Sequence, residues 1–459
     1  MSAIPLNPAQ KQAVEHQNGP LLVLAGAGSG KTRVITQRIA RLIERGVPSS
    51  AILALTFTNK AAGEMRERVH GLLASAGGAA AGKGLTVSTF HSFGLRVLGR
   101  EKQALGGAFT IFDQGDQVAA IKDVLGRMNA GRSYDAAAIL ARISWAKNAF
   151  LSPEDYRQRE GDEYDEITKV IYPRYQAALR NFRAYDFDDL VCEVARIWAE
   201  KTEVLRRWQE TYRYILVDEY QDTNGAQMAL LRQLAAQHKN LCVVGDDDQA
   251  IYAWRGADVK NILSFEEHFP GAIVIKLEQN YRSTAPILAL ANSVIDKRSD
   301  SKHKKVLFTD KPGGEKPRVA ALGSPESEAA WVAREIKKAM RDEGRRPRDM
   351  AILYRSNGQA KAMEEALREE AIPHRVVGGQ QFFERKEVKD LLAFLKVALN
   401  RQDEISLRRI VNYPPRGIGE TSIERLGVHA LAKGWTLWQT IERVDALDDL
   451  PAAAREGAK

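Results

Sequence analysis

The residues with the most specific chemistry form the loop AGAGSGKT, residues 25–32, which follows the apolar run LLVL. Its three glycines let the backbone turn N–H groups toward a polyphosphate without clashes at Cβ. Lys31 can then reach the β- and γ-phosphates, while the Thr32 hydroxyl binds Mg²⁺ and the next helix adds its positive dipole end. A glycine-rich turn that binds nothing is the alternative, and Ala25 replaces the glycine that usually opens the pattern. The predicted nucleotide site consists of Ala25, Gly26, Ala27, Gly28, Ser29, Gly30, Lys31, Thr32 and Arg33.

A second constellation, YILVDEYQDTN at residues 214–224, is an apolar run that ends in two acids. A buried strand that delivers two carboxylates at its tip suits a Mg·ATP hydrolase, in which one carboxylate holds the metal. The other carboxylate accepts a proton from the attacking water. We therefore predict that Asp218 binds the metal with Thr32 and that Glu219 is the general base. Solvated charges at a strand end are the alternative interpretation.

The third constellation, VVGDDDQAIYAWRGA at residues 243–257, is again an apolar run followed by polar residues. Gln249 can hydrogen-bond the γ-phosphate or the attacking water, which makes it a further catalytic candidate. Tyr252, Trp254 and Arg255 follow closely, and aromatic rings beside a cation can stack on the bases of a single strand whatever its sequence. Packing in a core is the ordinary role of such rings and the alternative here.

The elements that must position these residues follow an α/β pattern. Short β-branched runs alternate with helical periods, which is typical of a parallel sheet covered by helices. The predicted strands are residues 21–25, 52–57, 85–88, 214–217, 241–245 and 273–277. Between residues 93 and 213 the sequence becomes charged, Ala-rich and helical, which predicts a helical domain inserted into the first α/β domain.

A second α/β series is predicted after residue 277. It consists of strand PRVAAL (317–322), a helix over 324–340 with Ser324 as N-cap, strand MAILYR (350–355) and a helix over 359–370. From residue 384 onward the pattern is helical to Lys459. The chain is therefore expected to hold a second sheet and a further helical region.

Composition restricts the class of protein. A chain of 459 residues suggests about two to four domains. Lys and Arg total 67 against 59 Asp and Glu, a net charge of +8, which favours an anionic partner such as nucleic acid. Cys192 and Cys242 lie in apolar surroundings and are predicted to be buried thiols of a reducing cytosol. The first residues have no signal-peptide pattern and no run of about 18 apolar residues occurs, so a cytoplasmic protein without membrane contact is expected.

Ten blocks in order resemble the Rep/UvrD/PcrA-type helicases of superfamily 1, most closely those of the Rep type. They are LNPAQKQAV (6–14), AGAGSGKT, LTFTNKAAGEMRERV (55–69), STFHSFGL (88–95), YDFDDL (185–190), ILVDEYQDTN, VVGDDDQAIYAWRGA, LEQNYRST (277–284), GGQQFFERKEVKDLLAFLKV (378–397) and LRRIVNYPPRGIG (407–419). The resemblance covers essentially the whole chain.

The resemblance implies roles for residues that spacing alone does not single out. Gln10 would hydrogen-bond the adenine, Tyr281 would stack on it, and Arg282 would act as a catalytic arginine finger on the γ-phosphate, a role suited to its fixed charge. Additional DNA contacts implied by the resemblance are Phe57, Asn59, Thr89, His91 and Phe187. A structural histidine is the alternative for His91, because only its motif position singles it out.

The resemblance also divides the chain into RecA-like P-loop motor domains with helical insertions. Motor domain 1A would take residues 1–105 and 191–278, insertion 1B residues 106–190, motor domain 2A residues 279–378, and a partial helical domain 2B residues 379–459. The HxxKGLE-like and TRA-like blocks that complete the family's second motor domain are not found in this sequence. We therefore expect an incomplete second motor domain and an N-terminal fragment whose ATP turnover is uncoupled from DNA unwinding.

The expected function is that of an ATP-dependent translocase and helicase that moves 3′ to 5′ on single-stranded DNA in replication restart or DNA repair. ATP and Mg²⁺ are the expected cofactors. Expected partners are single-stranded DNA, junctions of single- and double-stranded DNA, and replication or repair proteins, with the chain a monomer or weak dimer. Two alternatives stay open: a truncated product that binds single strands and ATP without acting as a motor, and the motor subunit of a helicase–nuclease.

Overall fold

The computed structural model describes residues 5–75, 82–103, 107–128, 134–157, 161–297, 303–377, 386–447 and 449–458. These residues divide into two compact units. Unit 1 is Met1–Glu315 together with Ala393–Lys459, and unit 2 is Lys316–Leu392. Among the helices in these ranges, none is both long enough and apolar enough to cross a membrane.

Eight strands are described, and all belong to unit 1. They are β1 Leu21–Ala25, β2 Ile52–Thr56, β3 Thr86–Thr89, β4 Thr110–Ile111, β5 Ala184–Tyr185, β6 Tyr214–Val217, β7 Leu241–Gly245 and β8 Ile273–Leu277. Six of them form one parallel sheet in the order β3-β2-β6-β7-β1-β8, and β4 pairs with β5. All six strands predicted from the sequence for the first α/β domain are confirmed, with ends that differ by at most one residue.

The register brings the carboxyl ends of the central strands to one edge of the sheet. Leu24 of β1 lies opposite Gly245 of β7, and Val217 of β6 lies opposite Leu55 of β2 and Val243 of β7. In open parallel sheets, ligands bind outside this edge where the strand order reverses. The polar residues that follow β1, β6 and β7 are therefore gathered at one place.

Twenty helices are described. They are α1 Pro8–Glu15, α2 Lys31–Glu44, α3 Asn59–Ser75, α4 Phe90–Arg100, α5 Gln114–Arg127, α6 Ala136–Asn148, α7 Glu163–Asn181, α8 Asp189–Glu200, α9 Thr202–Thr211, α10 Gly225–Ala235, α11 Lys260–Leu263, α12 Phe265–His268, α13 Ala285–Ile295, α14 Pro325–Asp342, α15 Ala360–Glu369, α16 Lys386–Leu399, α17 Glu404–Ile410, α18 Glu420–Lys433, α19 Leu437–Ile441 and α20 Ala452–Ala458.

The sheet is covered on both faces. Every residue of β1, β2 and β7 is buried, as expected for parallel strands between two helical layers. Because side chains alternate along a strand, Leu22 and Leu24 pack with α4, α8 and α10, whereas Leu21 and Val23 pack with α1, α2 and α3. Both free cysteines are buried, as predicted.

The predicted helical insertion is also confirmed. Helices α5, α6 and α7 share a core that includes Ile143 and Tyr172, both fully buried. Residues of the C-terminal segment join this core: Ile405 packs into it, and Lys396 lies 2.6 Å from Asp116 between Nζ and Oδ2. The helices from α17 to α20 form a smaller apolar core of their own with the end of α16, as the helical pattern predicted.

The prediction of a second sheet is wrong for the residues that the structure describes. In unit 2, α14 and α15 form as predicted and pack through Ala333 and Met363, but residues 317–322 and 350–355 contain no strand. Val319 and Leu353 are 93% and 95% exposed, and neither segment has a ladder partner. An apolar run becomes a strand only when a neighbour completes its backbone hydrogen bonds.

The predicted motor-domain boundaries stay predictions. Those at 105/106 and 378/379 lie outside the described residues, as do residues 378–385 of the block that begins GGQQFFER.

Candidate nucleotide and nucleic-acid site

The phosphate loop leaves β1 and enters α2 through two glycines in the left-handed region, Gly28 at φ +69° and Gly30 at φ +96°. Glycine is needed at residue 28 for a second reason, because a Cβ there would lie 2.7 Å from the Cβ of Arg282. The buried Ser29 hydroxyl donates a 2.7 Å hydrogen bond to the carbonyl of Gly26. The sequence therefore folds into a tight turn that leads into the amino end of α2, as predicted.

The first acid after β6 is well placed for a metal. Asp218 is buried, and the Thr32 hydroxyl lies 3.4 Å from its Oδ2. Burial, together with the neighbouring charge of Glu219, raises the pKa of Asp218 to about 7. A bound divalent cation would favour the ionised form, and hard carboxylate and hydroxyl oxygens are ligands that Mg²⁺ prefers. This pair of oxygens fits the predicted metal site.

The second acid points across the same site. Glu219 has φ +52°, an unusual conformation for a residue other than glycine and one that concentrates at functional sites. Its Oε2 lies 3.7 Å from Lys31 Nζ and accepts a 3.0 Å hydrogen bond from Gln221. The cation of the phosphate loop and the predicted base therefore face each other.

A cavity of about 440 Å³ joins the predicted residues. Its lining consists of Ala27, Gly28, Gly30, Lys31, Thr32, Arg33, Arg68, Glu219, Gln249, Tyr281 and Arg282. Sequence reasoning missed Arg68, although it lies in a block quoted for the family resemblance, EMRERV on α3. Thr32, Glu219, Gln249 and Arg282 come from four separate segments of the chain, and the cavity brings them together.

The N-terminal segment supports the loop from behind. Gln10 is fully buried, donates a 2.8 Å hydrogen bond to the carbonyl of Ser29, and accepts one from the backbone N–H of Asn7. Asn7 in turn donates to the Tyr281 hydroxyl at 3.0 Å. The structure therefore brings Gln10 and Tyr281 to the same site through Asn7, a residue that the sequence did not single out; their adenine contacts stay a prediction.

The segment that carries Arg282 is fixed by another unpredicted residue. The side-chain oxygen of Asn280 accepts from the backbone N–H groups of Arg282 and Ser283 at 2.8 and 2.7 Å, and its amide donates to the carbonyl of Ala27. The N–H of Tyr281 donates to Gly28 at 2.9 Å. These bonds tie the arginine to the phosphate loop.

The turn after β7 is connected to the acids after β6. Gln249 donates from Nε2 to Asp246 Oδ2 at 2.5 Å, and the backbone N–H of Asp246 donates to Gln221 Oε1 at 3.0 Å. Because Gln221 also donates to Glu219, a continuous chain of hydrogen bonds joins the predicted base to Gln249. The sequence did not single out Asp246 or Gln221, the two residues through which these hydrogen bonds run.

The aromatic residues that follow Gln249 are exposed and do not belong to a core. Trp254 is 66% exposed and Tyr252 is 40% exposed. The guanidinium of Arg255 lies 4.6 Å from the Trp254 ring centre and 5.6 Å from that of Tyr252. This surface of two rings and a cation matches what a stacked single strand requires.

The other predicted DNA contacts have mixed surroundings. His91 stacks on the exposed ring of Phe187 at 4.0 Å, and burial lowers the pKa of His91 to about 4, so the imidazole is neutral at pH 7. Thr89 is buried and caps α4 by accepting from the Ser92 N–H at 3.1 Å. Phe57 contacts Phe90 edge to face, and Asn59 begins α3. His91 and Thr89 therefore each have a partner within the protein, Phe187 and the Ser92 N–H, in addition to the predicted contact with DNA.

The sheet, the phosphate loop and the paired carboxylates define an α/β protein of the P-loop nucleotide-binding class. Residues 6–270 match the family model of the UvrD/REP helicase N-terminal domain, and residues 275–445 match that of the UvrD-like helicase C-terminal domain. The chain belongs to the UvrD/REP helicase family.

Curated relatives agree with this assignment. The chain is 45% identical over 444 residues to the ATP-dependent DNA helicase PcrA of Bacillus subtilis, which covers 96% of this chain and 59% of the relative. PcrA helicases of Staphylococcus epidermidis and Staphylococcus aureus are 45% and 44% identical, each with 96% of this chain and 60% of the relative covered. The chain thus spans about 60% of the length of these relatives. A match to both family models does not support the expectation of an N-terminal fragment, and that expectation and the closer resemblance to Rep remain predictions.

Proposed function

We propose that this chain hydrolyses ATP to move 3′ to 5′ along single-stranded DNA and to separate strands at junctions, in replication restart or DNA repair. The observation that carries the proposal is that one short segment, 246–255, contributes residues both to the cavity and to the proposed DNA surface. Gln249 of this segment lines the phosphate cavity, and Trp254, five positions later, is exposed with Arg255 over its ring. A change at the cavity wall would therefore be transmitted directly to the DNA grip.

The proposed chemistry assigns one task to each group around the cavity. Backbone N–H groups of the loop and Lys31 hold the β- and γ-phosphates. Thr32 and Asp218 would hold Mg²⁺, which when bound neutralises phosphate charge and orients the terminal phosphate. Glu219 accepts the proton of the attacking water, and Gln249 orients that water or the γ-phosphate. Arg282 neutralises the charge that develops on the transferred group.

Contacts outside the chemistry complete the proposed assignment. Gln10 reads the adenine and Tyr281 stacks on it. The proposed single-strand surface consists of Phe57, Asn59, Thr89, His91, Phe187, Tyr252, Trp254 and Arg255. Ring stacking contributes on the order of 1–3 kcal/mol per base without sequence preference, which suits a translocase that must pass every sequence.

The test is steady-state ATP hydrolysis by this chain with and without single-stranded DNA. We expect DNA to raise the turnover number at least about tenfold, since a grip coupled to the cavity completes the catalytic arrangement. The Trp254→Ala variant should retain the basal rate and lose most of the stimulation. Turnover that is absent with DNA and without it would contradict the proposal.

A second candidate is a protein that binds ATP and single strands without coupled turnover. The absence of strands from unit 2, in the part of the chain that the structure describes, favours it. The same assay separates the two candidates. Basal hydrolysis that DNA leaves unchanged, with single-strand binding retained in fluorescence anisotropy, would support the second candidate over the motor.

A further inference from the structure

A buried lysine outside the assigned site contacts three consecutive acids. Lys305 Nζ lies 3.2 Å from Asp246 Oδ1 and 3.1 Å from Asp248 Oδ2, and it forms a third ion pair with Asp247. Its side chain is 2% exposed, and those of Asp246 and Asp247 are equally inaccessible. The acids form the turn between β7 and Gln249. The lysine comes from the chain beyond α13, far from that turn in sequence.

The ion pairs with Lys305 offset part of the negative charge of the turn. Adjacent buried carboxylates repel one another, and a buried charge is tolerated only when it is paired and hydrogen-bonded. Burial works against the charged lysine, yet the surrounding carboxylates raise the pKa of Lys305 overall. The ammonium is therefore charged at pH 7 and holds the acids in one arrangement.

This arrangement determines where Gln249 points. The two oxygens of the Asp246 carboxylate have different partners. Oδ1 pairs with Lys305 and accepts from the backbone N–H of Asp248 at 3.3 Å, and Oδ2 accepts the hydrogen bond from Gln249 Nε2. The backbone N–H of Gln249 also donates to the carbonyl of Asp246 at 2.9 Å. With one amide hydrogen used by Asp246, the carboxamide has a second amide hydrogen for a phosphate oxygen and its carbonyl oxygen for a water.

The segment that supplies the lysine also supports the arginine side of the cavity. The backbone N–H of Val306 donates to the Glu278 carboxylate at 2.9 Å, and that of Phe308 donates to the Glu278 carbonyl at 3.1 Å. The N–H of Asn280 donates back to the carbonyl of Phe308 at 2.7 Å. Asn280 is the residue whose side chain fixes the backbone at Arg282. One short segment, 305–308, thus contacts both the turn that precedes Gln249 and the backbone that precedes Arg282.

We propose that Lys305 is a positioning residue. Through Asp246 it holds the Gln249 carboxamide where Gln249 and Arg282 can both contact the terminal phosphate. The inference rests on the proposed function, since it concerns the same cavity. Lys305 itself does not line the cavity, so it acts through Gln249 and not by touching the nucleotide. It should therefore matter for a ligand with a γ-phosphate and little for one without it.

The experiment compares binding of a non-hydrolysable ATP analogue with binding of ADP, each with Mg²⁺, to the full chain. The variants are Lys305→Met, which keeps the aliphatic stem, Gln249→Ala, and the two combined. The matched control is Lys304→Met, because the Lys304 side chain is 68% exposed and pairs with Asp296 instead of the turn. Thermal unfolding of each variant is measured alongside.

We expect Lys305→Met and Gln249→Ala each to reduce the preference for the ATP analogue over ADP by about tenfold, with the dissociation constant for ADP within about threefold of wild type. The combined variant should show the same preference for the ATP analogue as Gln249→Ala alone, because the two changes remove the same interaction. Lys305→Arg should restore part of the preference. Lys304→Met should match wild type.

Other outcomes separate this inference from the proposed function. If Gln249→Ala loses the preference and Lys305→Met keeps it, or if the two effects multiply in the combined variant, the role of Lys305 is refuted while the cavity assignment stands. If wild type shows no preference for the analogue, both fail. Should Lys305→Met not fold, the charge-compensated pair Lys305→Met with Asp247→Asn takes its place, and a wild-type preference there would likewise refute the inference.

Discussion

Lys31 and Glu219 face each other at the carboxyl edge of the sheet, with 3.7 Å between Nζ and Oε2. Under the proposed function, a terminal phosphate and its attacking water would lie at this pair. We predict that Lys31→Ala lowers ATP turnover by at least about 100-fold, because a preorganised cation stabilises the charge on the transferred phosphate. Single-strand binding should remain within about threefold, since the proposed DNA surface does not include Lys31.

Steady-state hydrolysis and fluorescence anisotropy with labelled single-stranded DNA measure these two expectations. Lys122→Ala on α5, an exposed lysine away from the cavity, is the control and should match wild type in both assays. Turnover that survives Lys31→Ala would refute the assignment of the loop.

Substitutions of the two neighbouring acids, Asp218 and Glu219, should impair turnover in different ways. Glu219→Gln keeps the shape of the side chain but removes the base, so we expect turnover to fall about 10²- to 10⁴-fold with nucleotide binding retained. Asp218→Asn removes one of the two proposed metal ligands and should instead raise the Mg²⁺ concentration needed for half-maximal turnover. Magnesium titrations of both variants make the comparison, and equal magnesium dependence would show that the two roles are not divided as assigned.

The sequence could indicate which residues lie together at the carboxyl edge of the sheet because the signals for their positions are local. Strands β1, β2 and β7 are apolar runs buried on both faces, and the phosphate loop, Asp218 and the segment that carries Gln249 follow strand ends that the parallel register must bring together. The sequence does not determine whether Trp254 is exposed, since the identity of an aromatic residue does not show whether it packs in a core or lies on the surface.

The parts that could not be predicted depend on contacts between distant segments. Lys305 lies 58 positions from Asp247, and Asn280 lies 253 positions from Ala27. No local pattern reports such a pairing. The same reason explains the error at residues 317–322, where an apolar run without a ladder partner stays exposed.

Trp254 provides the clearest test of the DNA surface. Removing one base stack should cost about 1–3 kcal/mol of single-strand affinity, so Trp254→Ala should raise the dissociation constant by roughly tenfold at matched salt. The control is Trp331→Ala, because Trp331 also has an arginine, Arg318, 5.7 Å from its ring centre but carries no predicted DNA role. Equal effects of the two substitutions would argue against a specific stack at Trp254.

Arg255 should behave differently from the ring that it covers. If its guanidinium contacts a phosphate, Arg255→Gln should reduce the slope of log affinity against log salt by about 0.7, the value for one contact to a single strand. Trp254→Ala should leave this slope unchanged. Salt titrations by anisotropy measure both slopes, and an unchanged slope for Arg255→Gln would restrict that residue to holding the Trp254 ring.

His91 should make the stability of the folded chain depend on pH in the acidic range. Burial lowers its pKa from 6.5 to about 4 in the folded chain, whereas the unfolded chain takes up a proton at the ordinary value. Between these pH values the unfolded state binds more protons, so the free energy of unfolding falls as pH is lowered from 6.5 toward 4. The non-titrating variant His91→Gln should lack this loss, and its stability relative to wild type should improve on the order of 1–3 kcal/mol between pH 7 and pH 4.

Urea unfolding of both proteins across this range makes the measurement. Because other buried acids titrate alike in both proteins, only the difference between the two curves is informative. Parallel curves would mean that the imidazole is freely solvated and that its stacking on Phe187 does not exclude the proton.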